Sequence, residues 1–485
     1  MSNLTDLLPA GAGGKQVSFV ASGTIGNGVT VGLNSDGTVT AVAETSVTQS
    51  LGTSTSFNTG YTTAFHSAVY DTQNNKVIIS YQDQTTSSYG TSVVGTVSGT
   101  SISFGTPVVF ESATSSEIYS TFDTANNKVV IAYRDGGNSN YGTAIVGTVS
   151  GTSISFGTAV VFRTANVNYP AIAFDSSNNV VVIGYRDVVN SYYGTAIVGT
   201  VSGTSISFGT AVVFKPANSS YMSCVFDSVN NKTVISYRDN ADLGKGKAAV
   251  GTVSGTSISF DGNAYLFSLD GVNYIGSTFD YDLGKVVITY QGSSAYGKAV
   301  VGTVSGTSIS FGTQVTFEAA DTYYTAPSYN AASQSVVIAY QDDGNSGRGT
   351  LIEGTVSGTS ISFGSPVIYT GTESSNWQAT TYDSIQKVVV AASYYATSEV
   401  SKASVFRTAY TETNYTDFIG ISDAAISDTA SGSVTIKGGI STNVTGLTPN
   451  STYYVQANGT LSTTASDVLA GKALSSTSIN LDYTT

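Results

Sequence analysis

Residues 163–214 read RTANVNYPAIAFDSSNNVVVIGYRDVVNSYYGTAIVGTVSGTSISFGTAVVF and divide into four strand-like runs. YPAIAFD ends at Asp175, VVVIGYRD ends at Asp187, TAIVGTVSG is a third run with its turn, and TSISFGTAVVF is the fourth. The runs are rich in the β-branched and aromatic side chains that pack well on a pleated surface. SSNN and VVNSYYG separate them with residues that suit tight turns.

The unit recurs. SGTSISF ends at Phe104, Phe156, Phe208, Phe260, Phe311 and Phe363, with spacings of 52, 52, 52, 51 and 52 residues. A near-fixed period marks one supersecondary unit repeated. The end of the first run recurs at Tyr70-Asp71, Phe122-Asp123, Phe174-Asp175, Phe226-Asp227, Phe279-Asp280, Tyr329-Asn330 and Tyr382-Asp383, which is seven copies against six of SGTSISF. The missing outer strand is found upstream, where SLGTSTSF (50–57) is a degenerate copy placed to pair with KASVFRTAY (402–410). The predicted fold is all-β: a seven-bladed β-propeller of four-stranded blades, closed by one N-terminal and three C-terminal strands. Closure leaves no unpaired edge where the chain ends meet. An open solenoid of the same repeat is the rival, and it would need capping repeats.

Composition narrows the partners. With 19 Lys+Arg against 32 Asp+Glu, the net charge is -13. That balance argues against nucleic acid, whose phosphates need Lys and Arg, and against an anionic membrane surface. No apolar run approaches the roughly 18 residues of a spanning helix, so no membrane insertion is expected. Neutral ligands such as glycans stay open. The single cysteine, Cys224, and single histidine, His66, allow no internal disulfide and no Cys/His metal site. Cys224 reads as a small core residue and His66 as a structural or channel residue. Neither cofactor nor metal is expected: phosphate-cradling loops, nucleophile motifs and Asp-box turns are missing, and Asp342-Asp343-Gly344-Asn345 only poorly approaches a calcium loop. The first fifteen residues lack a basic start and a long apolar run, so synthesis in a cytoplasm without a secretory signal is expected.

The segments outside the repeat, 15–42 and 416–485, alternate apolar and polar residues around the turn signals NSDG, NGT and LTPNS. Strands are expected at DFIGISDAAI, GSVTIKGGI, STYYVQANG, TLSTT and INLDY. Neither segment is large enough for a secure core, so the two are expected to fold together. The expected organisation is a flexible arm over 1–14, a small β-domain from 15–45 and 413–485, and the propeller over 46–412. The C-terminal landmarks GLTPNSTYYV (446–455), NGTLSTT (458–464) and LAGKALSSTSINL (469–481), with VASGTIGNGVTVGLNSDGTVTAV (20–42) upstream, resemble a β-rich module of virion and tail-fibre-type proteins of tailed bacteriophages. The resemblance covers about 90 of the 485 residues. It implies a virion location, other virion proteins as partners, and a homo-oligomer.

Comparing the units within the chain separates two propeller faces. The VSGTS turn is identical in six units, whereas the second-to-third and fourth-to-first connections change in length and charge. Variation over a fixed scaffold is how loops carry recognition. Five residues before each first-run aromatic stand Phe65, Glu117, Tyr169, Tyr221, Tyr274, Tyr324 and Trp377, with Tyr119 near the exception. These rings are expected to encircle the channel mouth, where Tyr119, Tyr169, Tyr221, Tyr274, Tyr324 and Trp377 suit sugar stacking or protein contact; packing of the channel end is the plainer reading. Arg134, Arg186 and Arg238, in recurrent Tyr-Arg-Asp ends, read as a repeated Arg–Asp pair, an Asp loop cap, or a ligand ring. The leading expectation is a non-enzymatic virion structural protein, of the fibre, spike or decoration type, binding a host surface glycan or protein. A glycan-cleaving propeller, drawing on carboxylates such as Glu111, Glu117, Asp270, Glu318, Asp321 and Glu373, and a bacterial surface adhesin or filament subunit are the alternatives.

Overall fold

The computed structural model of the chain describes residues 15–58 and 63–481. The arm expected over 1–14 lies outside them. The described residues form two compact units, 15–48 with 409–481, and 49–408. Strands and turns make up both, with short 3-10 turns and no α-helix among the described residues.

In the unit 49–408 the repeat folds as four-stranded antiparallel sheets. Sheets 1 to 7 are numbered here by their second strands: Lys76–Asp83, Lys128–Asp135, Val180–Asp187, Lys232–Asp239, Lys285–Gln291, Ser335–Asp342 and Val388–Tyr395. Sheet 3 is typical. Val160–Asp175 pairs with Val180–Asp187, which pairs with Tyr193–Ser202, which pairs with Ser205–Phe208. Asp175 closes its first turn by accepting from the backbone N–H groups of Ser177 and Asn178, both at 3.0 Å, and from the Asn178 amide at 2.9 Å. This is why an acid ends the run and an Asn follows three residues later.

The structure changes the reading of the fourth run. TSISFGTAVVF is not one strand: Ser205–Phe208 ends before Gly209, and Val212–Asp227 begins a new one. A Cβ on Gly209 would lie 1.9 Å from the Thr256 carbonyl oxygen, so only glycine fits this approach to the next sheet. The fourth-to-first connections, expected as loops, are extended backbone in most sheets. Val160–Asp175 is one strand that pairs first with Tyr141–Ser150 of sheet 2 and then with the second strand of sheet 3. Backbone pairing, with bulges, holds these polar stretches straight.

Sheet 7 takes its outer strand from upstream. Ser50 and Leu51 pair with Arg407 and Phe406, and Thr55, Ser56 and Asn58 pair with Ala403, Lys402 and Ser401. The pairing stops short of the expected 402–410 run, because Tyr410–Thr413 pairs with Glu44–Val47 in the other unit. The boundaries therefore fall at 49 and 408, where the sequence reading had placed 46 and 412.

Apolar side chains fill the space between consecutive sheets. One cluster joins Val130 and Val146 of sheet 2 to Ile183 and Tyr185 of sheet 3. Another joins Ile79 and Tyr81 of sheet 1 to Val390 and Val405 of sheet 7. The tyrosine of each Tyr-Arg/Gln end is an anchor: Tyr185 is fully buried, with its ring 5.3 Å from that of Phe162. Burying such a ring contributes about 1.5–3 kcal/mol, and the tilted aromatic pairing about 0.5–1.5 kcal/mol more. Gly142 makes room for Phe162, since a Cβ there would come within 2.4 Å of the ring.

In the other unit, both chain ends share sheets. Gln16–Val20 pairs with Ser431–Ile436, and Thr30–Leu33 pairs with Phe418–Ser422, in a five-stranded sheet. A second five-stranded sheet holds Ile440–Ser441, Ser478–Leu481, Leu469–Ser475, Thr452–Val455 and Leu461–Ser462. Val31, Val39, Val434 and Ile436 are buried in one cluster, and Tyr453, Val455, Ala470 and Ile479 in another.

Candidate ligand-binding rim

Each first strand carries a bulge at one place, where two residues oppose one on the second strand. The register skips between Ala64 and Ser67, Ser116 and Tyr119, Asn168 and Ala171, Ser220 and Ser223, Asn273 and Gly276, Tyr323 and Ala326, and Asn376 and Ala379. The first residue of each bulge is the one counted from the sequence: Phe65, Glu117, Tyr169, Tyr221, Tyr274, Tyr324 or Trp377. All have positive φ, from 48° at Tyr221 to 60° at Trp377. For a side chain with a Cβ this left-handed conformation costs about 1–2 kcal/mol per residue. Such strain persists only where the surroundings over-determine it, and it concentrates at ligand sites.

The bulges turn these side chains toward one mouth. Ring centroids run Phe65–Trp377 4.5 Å, Trp377–Tyr324 4.7 Å, Tyr324–Tyr274 4.9 Å, Tyr274–Tyr221 5.4 Å and Tyr221–Tyr169 5.1 Å. Glu117 fills the gap between Tyr169 and Phe65. The rings are half-buried and line a cavity of about 500 Å³. Two residues along each strand the cavity wall is Ser67, Ala171, Ser223, Gly276, Ala326 and Ala379, with Tyr119 as the one large side chain at that position. Tyr119 is 38% exposed and belongs to the cavity wall rather than to the rim.

Glu117 is held in place. Its carboxylate accepts from the Tyr169 backbone N–H, and from the Asn168 amide at 3.4 Å. Burial pushes its carboxyl above the usual carboxylate range, while the Tyr169 hydrogen bond and the charges of Arg134 and Arg186 pull it down. Arg186 donates to Asn168 at 2.9 Å and lies 5.0 Å from the Tyr169 ring centre and 5.1 Å from that of Tyr192. Arg134 donates to Asn166 at 3.3 Å, and Arg238 donates to the Asn273 side chain. The repeated Arg–Asp pair is corrected by these contacts. Asp187 pairs with Arg163 at 3.0 Å, and Asp239 with Lys215 at 2.6 Å and Lys247 at 2.9 Å. Asp135 caps its loop, accepting from the Asn138 N–H at 3.1 Å.

The structure thus gathers Tyr169, Tyr221, Tyr274, Tyr324 and Trp377 at one mouth, with Tyr119 in the cavity and Arg238 in a neighbouring cleft, while Arg134 and Arg186 lie outside both linings and reach Glu117 through their charge. Phe65 and Glu117 belong to the rim although neither stood among the expected binding residues. Their signal was the same five-residue count that placed the tyrosines. His66, second in its bulge, is buried; its Nδ1–H donates to the Trp377 carbonyl at 2.7 Å, and Thr63 donates to its Nε2. Burial lowers its pKa to about 4, so the ring is neutral at pH 7. Cys224 lines the cavity, and burial pushes its thiol up to about 12, so the thiol is protonated at pH 7. Among the described residues, no group of three or more His, Cys, Asp or Glu is placed to hold a metal ion.

The chain is similar to the BP39L lectin from Burkholderia pseudomallei, at 11% identity and a TM-score of 0.55, over 73% of this chain and 98% of that one. The fold is a β-propeller. A looser likeness, to a chain of the Mitotic Checkpoint Complex, has 9% identity and a TM-score of 0.45 over 71% of this chain and 89% of that one. No family model and no curated protein matches the chain.

Proposed function

We propose that residues 49–408 form a seven-bladed propeller closed on itself, whose aromatic rim binds a glycan of a host cell surface. The observation that carries this reading is the rim: six aromatic side chains and one glutamate, each in a bulge at positive φ, around a single mouth. Amphipathic rings present flat apolar faces and hydroxyl edges, which is what a sugar ring needs. Filling a channel requires no such strain. Closure is supported by the apolar cluster shared between sheets 1 and 7 and by the strand that residues 50–58 lend to sheet 7. The likeness to a lectin is in keeping with glycan binding.

The activity proposed is binding without chemistry. Among the described residues lining the cavity, Glu117 is the one carboxylate, and glycoside hydrolysis ordinarily takes two. The whole chain is proposed to be a structural protein of a tailed-phage virion, made in the host cytoplasm. The module formed by its two ends, which carries the tail-fibre resemblance, would join it to other virion proteins or to sister subunits. In the test, Tyr169→Ala combined with Tyr221→Ala lowers host adsorption and polysaccharide binding about tenfold, a loss of about 1.4 kcal/mol, with the β-sheet circular dichroism spectrum unchanged. Polysaccharide incubated with the wild type keeps its length. Undiminished adsorption by the double variant would return the rings to a packing role, and shortened polymer would favour the glycan-cleaving alternative.

A further inference from the structure

Beside the rim, lined from sheets 4, 5 and 6, lies a second cavity of about 510 Å³. Its origin is a difference in one repeat. The second-to-third connection reads SSAYG (293–297) in sheet 5, two residues shorter than VVNSYYG (188–194) in sheet 3. The shorter loop leaves open a cleft walled by Arg238, Asn273, Gln291 and Tyr323, with Tyr221 and Tyr274 shared with the rim.

Arg238 is built into this cleft. Nη1 donates to the Val272 carbonyl at 3.4 Å and to the Asn273 side-chain oxygen. The guanidinium lies against Gly244, where a Cβ would stand 2.8 Å from Nε; Gly244 has φ +77° and is the residue that fits there. Nε is buried, with no hydrogen-bond partner among the described residues. Among the described residues no carboxylate pairs with Arg238, and the adjacent Asp239 is engaged by Lys215 and Lys247. Gln291 is buried, and its side-chain oxygen accepts from Asn273 at 2.9 Å. Among its described wall residues the cleft offers a fixed cation and amide and hydroxyl donors, and no acid. In a chain of net charge -13, this is a local concentration of donors of the kind that recognises anions.

We propose that the cleft binds the anionic group, carboxylate or sulfate, of an acidic sugar whose chain continues onto the rim through Tyr221 and Tyr274. This rests on the glycan reading of the rim and names the class of glycan. The test uses the full-length protein and calorimetry at fixed ionic strength with three probes: a uronate-containing oligosaccharide, the same oligosaccharide with its carboxyl groups reduced to alcohols, and a sulfated oligosaccharide. The wild type is expected to bind a charged probe at least about tenfold tighter than the reduced one. Arg238→Gln, and independently Ser293→Phe, which blocks the cleft from an exposed loop position, should bring the charged probe down to the level of the reduced one. The probe that shows this loss identifies the anion as carboxylate or sulfate. Equal binding of charged and reduced probes, or a preference that survives both substitutions, overturns the acidic-sugar proposal and leaves the rim reading standing. Failure of all three probes to bind removes both.

Discussion

Glu117 and His66 mark where the rim departs from its own repeat. Each stands in a bulge that elsewhere holds a ring or a neutral side chain, and each is tied across to a neighbouring sheet: Glu117 to the Tyr169 N–H, His66 to the Trp377 carbonyl. His66 gives the rim a pH dependence whose sign follows from its environment. Burial sets its folded-state pKa at about 4, below the ordinary value of 6.5, so the unfolded chain takes up the proton first. The stability of neutral His66 is fully present above about pH 6.5 and is lost as pH falls toward about 4, at up to about 1.4 kcal/mol per pH unit. Urea unfolding at pH 7, 5.5 and 4.5 should show a steeper acid loss in the wild type than in His66→Asn, and parallel slopes would contradict the assignment. The sequence identified His66 as structural from its isolation among noncoordinating residues. Its partner, a backbone carbonyl 311 residues away, carries no side-chain signature and was illegible.

The bulge is the element that makes the site. Counting five residues back from each first-strand aromatic found the rim positions, because the repeat keeps that count constant. The bulge itself was not legible. One extra residue shifts the inside–outside alternation by one, and the Ser, Ala and Gly that follow on either face do not record the shift. The connections before the bulges misled for a related reason: stretches such as ESATSSEIY carry little apolar alternation, yet their backbones pair first with one sheet and then with the next. The positive φ at Tyr221 gives a test that isolates backbone from ring. Tyr221→Gly and Tyr221→Ala both remove the ring, but only glycine relieves the conformation. The glycine variant should be the more stable by about 1 kcal/mol in chemical unfolding, the reverse of the usual order in a strand. A more stable alanine variant would mean that the bulge relaxes once the ring is gone.

At the scale of the whole molecule, the count of seven first strands against six SGTSISF strings was the decisive reading, since it required an outer strand from upstream. Phe57 is the side chain that fastens that strand. It is 4% exposed, with ring contacts to Tyr81 at 5.4 Å, Phe104 at 5.5 Å and His66 at 5.8 Å. Phe57→Ala should cost about 3–5 kcal/mol in chemical unfolding, and Leu51→Ala, at a partly exposed position of the same segment, under about 1 kcal/mol. Comparable small losses at both would deny the segment its role as the outer strand of sheet 7. The central claim, that glycan sits on the rim, has a built-in reporter: Trp377 is the only tryptophan, and it stands between Phe65 and Tyr324. The most direct measurement is therefore a fluorescence titration of the full chain with host surface polysaccharide. A saturable change in Trp377 emission, abolished in the Tyr169→Ala/Tyr221→Ala variant, is the result expected. Polysaccharide that co-sediments with the protein while Trp377 emission stays constant would contradict it.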